Sequence, residues 1–352
     1  MASTWACNLR CSYCFVDGRG LSGAAAAMSR AMAERLLDAL DAGLSHVESI
    51  CVHLYGGEPL LNFAALEALA ARAANYPPER FSFAITTNGV CLSDRALELL
   101  DAGAFAVVLS LDGPPEVHDR CRRTAAGEPT HTRVMACLEA LRARTRCLVR
   151  GSSVVRRGWR LREAQAYLRS LPVDCIKAQP VRALGPIPEA LTRADYAAYH
   201  EDLEALGDQV IDEIERETAP RDDRFNARVL RLLAGEGGTT FCGAGDASFG
   251  VLPGGEVLPC VLLPAEGNRL GHIDDEGAGW VEAGRRWAEA RPLRAECRGC
   301  AELGLCGGGC PALMPVCAES ECVLNQWTCE IARRIYGHFR AAPERLLILA
   351  GA

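Results

Sequence analysis

The chain has 352 residues, 49% of them hydrophobic and 24% charged, proportions that exclude collagen-like, fibrous and disordered classes. With 38 basic against 45 acidic residues the net charge is −7, so phosphate backbones are repelled and nucleic acid is not an expected partner. No apolar run approaches the roughly 20 residues that span a bilayer, and the N-terminus lacks the regions of a secretory signal. The expected location is cytoplasmic, with no membrane partner.

Apolar strand-like runs at 47–55, 81–87, 104–112, 147–155 and 173–181 alternate with helical stretches at 30–42, 62–75, 93–102, 131–144 and 161–170. Strands rich in Val and Ile, separated by helices of ten or more residues, indicate βαβ units and a parallel sheet. A strand before Cys7 has only Met1–Ala6 to occupy, so it is either vestigial or begins upstream. A long acidic helix is expected over 192–217 with Thr192 as N-cap, and a second over 224–234 ending at Gly235. Composition then changes to Gly, Pro and Cys, with one hairpin, ASFGVL and EVLPCVLL about a PGG turn. The expected division is 1–235 and 236–352, the second part closing on a C-terminal helix.

The 18 cysteines are too many for core filling, and a reducing cytosol disfavours disulfides. They cluster: Cys7, Cys11 and Cys14 in front, and Cys242, Cys260, Cys297, Cys300, Cys306, Cys310, Cys317, Cys322 and Cys329 behind, which reads as metal binding. Such ligation stabilises a segment otherwise poor in regular structure. Cys51, Cys91, Cys121, Cys137, Cys147 and Cys175 lack ligand spacing and are expected to be buried as small hydrophobes.

Cys7-Asn-Leu-Arg-Cys11-Ser-Tyr-Cys14 places three thiolates in eight residues. Three thiolates hold three irons of a 4Fe–4S cluster and leave the fourth iron open; a zinc site wants a fourth ligand close by. The front motif resembles that of the radical SAM enzymes, and nearly the whole chain resembles members with a C-terminal SPASM domain. Gly56-Gly57-Glu58-Pro59 is similar to the family's GGEP motif, Thr86-Thr87-Asn88-Gly89 to its TNG turn, and the segment from Ser110 through Asp112 and His118 to Arg120 to the SLDGP and HD sequences of its maturases. The spacing Cys242-x12-Gly255-x4-Cys260, Cys297-x2-Cys300-x5-Cys306-x3-Cys310 and then Cys329 matches the SPASM pattern.

The resemblance implies a partial (β/α)6 barrel of the TIM-like α/β class, followed by a small Cys-rich domain with two Fe–S clusters. It implies three 4Fe–4S clusters in all. S-adenosylmethionine at the open iron of the front one is cleaved to a 5′-deoxyadenosyl radical. Gly56 and Gly57 would approach the methionine moiety, Glu58 its ammonium, Asn88 the same cofactor, Ser110 and Asp112 the ribose, and Arg150 the carboxylate. Cys242, Cys260 and Cys310 would serve one auxiliary cluster, with Cys317, Cys322 or a substrate thiolate as fourth ligand. Cys297, Cys300, Cys306 and Cys329 would serve the other, Cys322 competing for the last place. Zinc ribbons are the alternative for the same spacings, which would make the chain a zinc-stabilised binding protein.

Family members mostly modify peptides or proteins made by the ribosome, so the expected function is oxidative maturation of a precursor peptide. A small-molecule dehydrogenase and a sulfatase-type maturase are the alternatives. The sulfatase maturases carry an acid directly after the cysteine matching Cys260; this chain has Val261, which lowers that reading. Expected partners are the peptide, a low-potential flavodoxin or ferredoxin, and a separate leader-recognition protein, since only six residues precede Cys7. Arginines at 142–162 would suit an acidic leader, or simply form a solvated face. Cys51, His53 and Tyr55 alternate on one strand, making His53 and Tyr55 candidate proton donors or orienters.

Overall fold

The computed structural model describes residues 1–18, 26–182, 187–238, 242–291 and 293–351. After the front cysteines come α1 (Phe15–Gly18) and α2 (Arg30–Gly43), whose first turn is capped by Ser29 accepting from Met32 N. Strands β1 (Ile50–Leu54), β2 (Phe81–Thr87), β3 (Ala106–Ser110), β4 (Val149–Val155) and β5 (Cys175–Pro180) form a sheet in the order β1-β2-β3-β4-β5. β1 pairs parallel with β2 from Ile50↔Phe81 to Leu54↔Ile85, and β2 pairs parallel with β3 from Ala84↔Ala106 to Thr87↔Leu109.

Helices α3 (Phe63–Ala73), α4 (Asp94–Ala102), α5 (Pro115–Cys121), α6 (His131–Arg144) and α7 (Leu161–Arg169) make the crossovers that parallel pairing requires. The α/β fold expected of the chain is therefore present. The strand expected in 1–6 is reduced to a bridge: Ala2 pairs parallel with Tyr55 beside β1. On the other edge Asp222 bridges Ile176 of β5 in the same sense.

The strands bury one face only. In β1 Ile50, Val52 and Leu54 are buried while Cys51 and His53 are exposed, and β2 and β3 alternate likewise. Leu36 and Leu37 of α2, Leu66 and Leu69 of α3, Leu97 and Leu100 of α4 and Leu138 of α6 fill the core with Leu54, Ile85 and Leu109, all within 4% of full burial. A parallel sheet covered on both faces carries nearly continuous apolar runs. Alternation here marks the other face as the lining of an opening.

The later elements are α8 (Arg193–Glu215), α9 (Asn226–Ala234), β6 (Gly250–Val251), β7 (Glu256–Leu258), β8 (Gly271–His272), α10 (Gly279–Ala290), α11 (Leu303–Cys306) and α12 (Met314–His338). Thr192 caps α8 in a reciprocal box with Asp195, and Gly235 ends α9 at φ +69°. The expected hairpin is β6 and β7, with β8 added antiparallel as a third strand.

Compactness groups the chain into two units, Met1–Arg150 with Gly243–Arg291, and Gly151–Cys242 with Pro292–Ala352. The hairpin preceding Cys260 is thus grouped with the front cysteines in the first unit. In the second unit α12 packs on α8 and α9. Gly207 makes the close approach of α8 possible, since a Cβ there would lie 2.5 Å from Ile331 Cγ2.

Candidate functional site

Backbone pairing holds the front loop. Arg10 N donates to Arg123 O at 2.8 Å, Ser12 N to Cys121 O at 3.1 Å and Cys14 N to Cys11 O at 3.0 Å, with Leu9 buried beneath. Cys7, Cys11 and Cys14 are all free thiols of intermediate exposure. Leu9 N points at Cys7 Sγ at 3.4 Å, and Asn88 Nδ2 at the same sulfur at 3.8 Å. Burial pushes the Cys11 thiol up to about 11, against the pull of the Arg122 charge.

Next to the loop stands the end of β1. Gly56 has φ +126°, and a Cβ on Gly57 would lie 2.2 Å from Ala6 O. Gly57 N donates to Thr4 O at 2.9 Å, and Glu58 N to Ala6 O at 2.8 Å. These glycines let the strand end touch the cysteine loop itself. Glu58 is 1% exposed, and its carboxylate accepts from Leu60 N, Thr87 Oγ1 and Asn88 N. Through these partners Glu58 fastens the GGEP segment to the TNG turn. Asn88 Nδ2 also donates to Asn8 Oδ1 at 2.7 Å, bringing the turn to the loop.

Asp112 follows β3 and is fully buried, accepting from Tyr13 Oη at 2.6 Å. Its backbone N donates to His118 Nδ1 at 3.3 Å, and Thr130 Oγ1, 3.1 Å from His118 Nε2, donates to Arg122 O at 2.7 Å. That set of donors puts the His118 proton on Nε2 and ties residues 112, 118, 122 and 130 into one buried network.

Ser110 and Arg150 are half-buried on the open faces of β3 and β4. His53 is exposed on the open face of β1, with Nε2 2.8 Å from Thr86 Oγ1. Tyr55 stacks on Phe15 at 5.4 Å and 6°, and burial, with Cys14 and Cys260 adding to it, raises its phenol to about 12. Tyr55 is therefore a proton donor at neutral pH and no base. Cys51 is exposed on this face, contrary to the core position expected of it, whereas Cys121, Cys137 and Cys147 are buried.

The rear cysteines sort into two neighbourhoods. Cys297, Cys300, Cys306 and Cys322 line one cavity, together with Gly308, Gly309 and Met314. Gly307, Gly308 and Gly309 all have φ between +69° and +77°, and the Gly308 and Gly309 amides donate to Cys306, lowering a thiol that burial raises. Cys329 is fully buried beside Cys306 and receives a hydrogen bond from Arg228. Cys317 interrupts α12 with φ −143°, and its surroundings are Glu321, Arg182 and Cys310. In the first unit Leu262 N donates to Cys260 Sγ at 3.4 Å.

The arginines of 142–162 do not form one free face. Arg144 pairs with Asp94, Arg146 with Asp101 at 3.4 Å, and Arg160 with Asp202 at 2.7 Å, while Arg156 is 3% exposed. Sequence reasoning quoted Asn8, Tyr13 and Thr87 within motifs without giving them a role, and missed Arg122, Arg182, Arg228 and Glu321. Tyr13 lies inside the cysteine motif and was open to notice; the others depend on long-range pairing.

Three thiols on a pinned loop at the C-terminal ends of parallel strands, beside an open polar sheet face, are the arrangement of a radical SAM domain. Residues 2–167 match the family described as Radical SAM superfamily. Its architecture is that of SPASM-type members. The chain is 24% identical over 350 residues to the cysteine-type anaerobic sulfatase-maturating enzyme of Clostridium perfringens (strain 13 / Type A), covering 91% of this chain and 90% of that one. Its fold resembles native anSMEcpe with bound AdoMet and Cp18Cys peptide, at TM-score 0.75 and 21% identity over 99% of this chain and 97% of that one. It also resembles Streptococcus suis SuiB bound to precursor peptide SuiA, at TM-score 0.62 and 19% identity over 88% and 70% of the two chains. No helix among the described residues is long and apolar enough to cross a membrane.

Proposed function

We propose that the protein is a maturase that oxidatively modifies a residue of a ribosomally made peptide. The observation that carries this reading is the open polar face of β1–β3, with His53, Thr86 and Ser110 beside the pinned cysteine loop. An extended chain fits such a face, and the two solved neighbours were captured with peptides. Cys7, Cys11 and Cys14 would hold the front cluster, where S-adenosylmethionine supplies a carbon radical that abstracts hydrogen from substrate. Asn88, Ser110, Tyr13 through Asp112, and Arg150 would orient that cofactor, while the apolar side of the sheet keeps water from the rear.

In the second unit Cys297, Cys300 and Cys306, with Cys329 or Cys322, would hold a further cluster. A flavodoxin or ferredoxin would deliver electrons. A second reading, maturation of a sulfatase-like protein, is favoured by the 90% coverage of the clostridial enzyme. Val261 cannot accept a proton at the place where such enzymes carry an acid, so His53 would take that role in either reading.

The test is anaerobic reconstitution of the full chain and of a Cys7/Cys11/Cys14→Ala triple variant, followed by iron and sulfide counting and a 5′-deoxyadenosine assay. Loss of about four irons and of all 5′-deoxyadenosine in the variant is expected. Zinc in place of iron, or an unchanged count, would overturn the reading. A sulfatase-derived Cys or Ser peptide, set against peptides encoded beside the gene, separates the two substrate classes.

A further inference from the structure

Arg10 pairs with Arg123, Ser12 with Cys121, and Leu9 with Thr124 in the antiparallel sense. All three pairings share one register, and that register sets Cys11 directly opposite Arg122. The position falls between two hydrogen-bonded pairs, where antiparallel segments come closest and opposed side chains share a face. Arg122 is 9% exposed and its Nη1 donates to Tyr13 Oη at 2.9 Å, while Tyr13 donates onward to Asp112. Its Nε is buried with no partner among the described residues. A guanidinium does not give up its charge in a protein. A permanent cation with an unused N–H therefore stands beside the middle cysteine of the loop.

We propose that Arg122 sets the reduction potential of the cluster held by Cys7, Cys11 and Cys14, through its fixed charge opposite Cys11. The inference rests on the front-cluster reading above. Taking up one electron adds one negative charge at the thiolate loop and moves no proton. A fixed cation stabilises that more negative state. Asp112, one phenol away, opposes it. The balance between Arg122 and Asp112 then decides how readily the enzyme accepts the electron that starts its chemistry.

The experiment is a dithionite redox titration of the reconstituted full chain, followed by electron paramagnetic resonance. The front signal is identified as the one that changes on adding S-adenosylmethionine. Arg122→Met is expected to lower the reduced-to-oxidised ratio at a fixed poise at least tenfold, equivalent to about 59 mV for a one-electron couple. Arg122→Lys, which keeps the charge, is expected to stay nearer the wild type. Asp112→Asn is expected to raise the ratio.

Opposite shifts at unchanged iron content are not a symptom of general damage. Wild-type potentials in Arg122→Met and Asp112→Asn, or shifts of the same sign in both, overturn the proposal. If Arg122→Met fails to take up front-loop iron, Asp112→Asn decides alone, and an unshifted or lowered potential overturns it. Absence of any signal responsive to S-adenosylmethionine in the wild type overturns the front-cluster reading and this inference together.

Discussion

The backbone N–H of Asn88 donates to Glu58 Oε2 at 2.8 Å across 30 residues of chain, joining the ends of β1 and β2 into one support for the cysteine loop. Burial raises the Glu58 carboxyl, while the Asn88 and Leu60 amides and the Thr87 hydroxyl draw it back down. Glu58→Ala strands those three donors in a dry site. It is expected to cost about 3 kcal/mol in chemical denaturation of the reconstituted protein and to release front-loop iron first. A denaturation midpoint equal to the wild type would show that Glu58 carries no such support.

Gly57→Ala tests the contact between that strand end and the loop. Its Cβ would lie 2.2 Å from Ala6 O, a backbone atom that cannot turn aside. The expected outcome is loss of about four irons per chain, with the visible absorbance of the rear clusters kept. Iron counting against protein concentration checks it.

Cys322 and Cys329 both stand by the cavity of Cys297, Cys300 and Cys306, one lining it and the other behind Cys306. They are seven residues apart on α12, nearly two turns, and so share a helix face. Each single Cys→Ala variant is expected to keep its iron because the other cysteine substitutes, while the double variant loses about four irons. Loss in Cys329→Ala alone would remove Cys322 from the ligand set.

His131 has its pKa lowered by burial, Asp119 and Glu116 pulling the other way. A group whose folded pKa lies below its unfolded value destabilises the fold as pH falls, because the unfolded chain binds the proton more readily. Unfolding free energy is therefore expected to decline as pH drops below about 6.5, the ordinary histidine value. His131→Asn should flatten that decline. Denaturation midpoints taken between neutral and mildly acidic pH measure both.

Much of this fold was legible because it is written locally. All five strands lie within their predicted runs, and α8 begins at the Thr192 cap the sequence marks. The cysteine loop was legible for the same reason: its ligands stand within eight residues. Arg122 was not, because nothing near it in the chain distinguishes it from Arg120 or Arg123. Its role depends on a register between residues 9–12 and 121–124, which is fixed only when both segments meet. The GGEP segment was legible as a motif, but its contacts with Ala6 and Asn88 were not, because they are made across long stretches of chain. Cys317 was ambiguous because a kink, not helical periodicity, sets its direction.

The run Gly307, Gly308, Gly309 keeps three successive residues in the left-handed region and aims two amides at one sulfur. Glycine loses more freedom on folding than any other residue, so this linker is held chiefly by what it clasps. If the further cluster proposed for Cys306 were destroyed by oxygen, it would release a side-chain-free tether between Cys306 and Cys310. Proteases cut at such places first. Inactivated molecules would thus be the ones most readily cleared, with iron loss and turnover coupled through a single stretch of backbone.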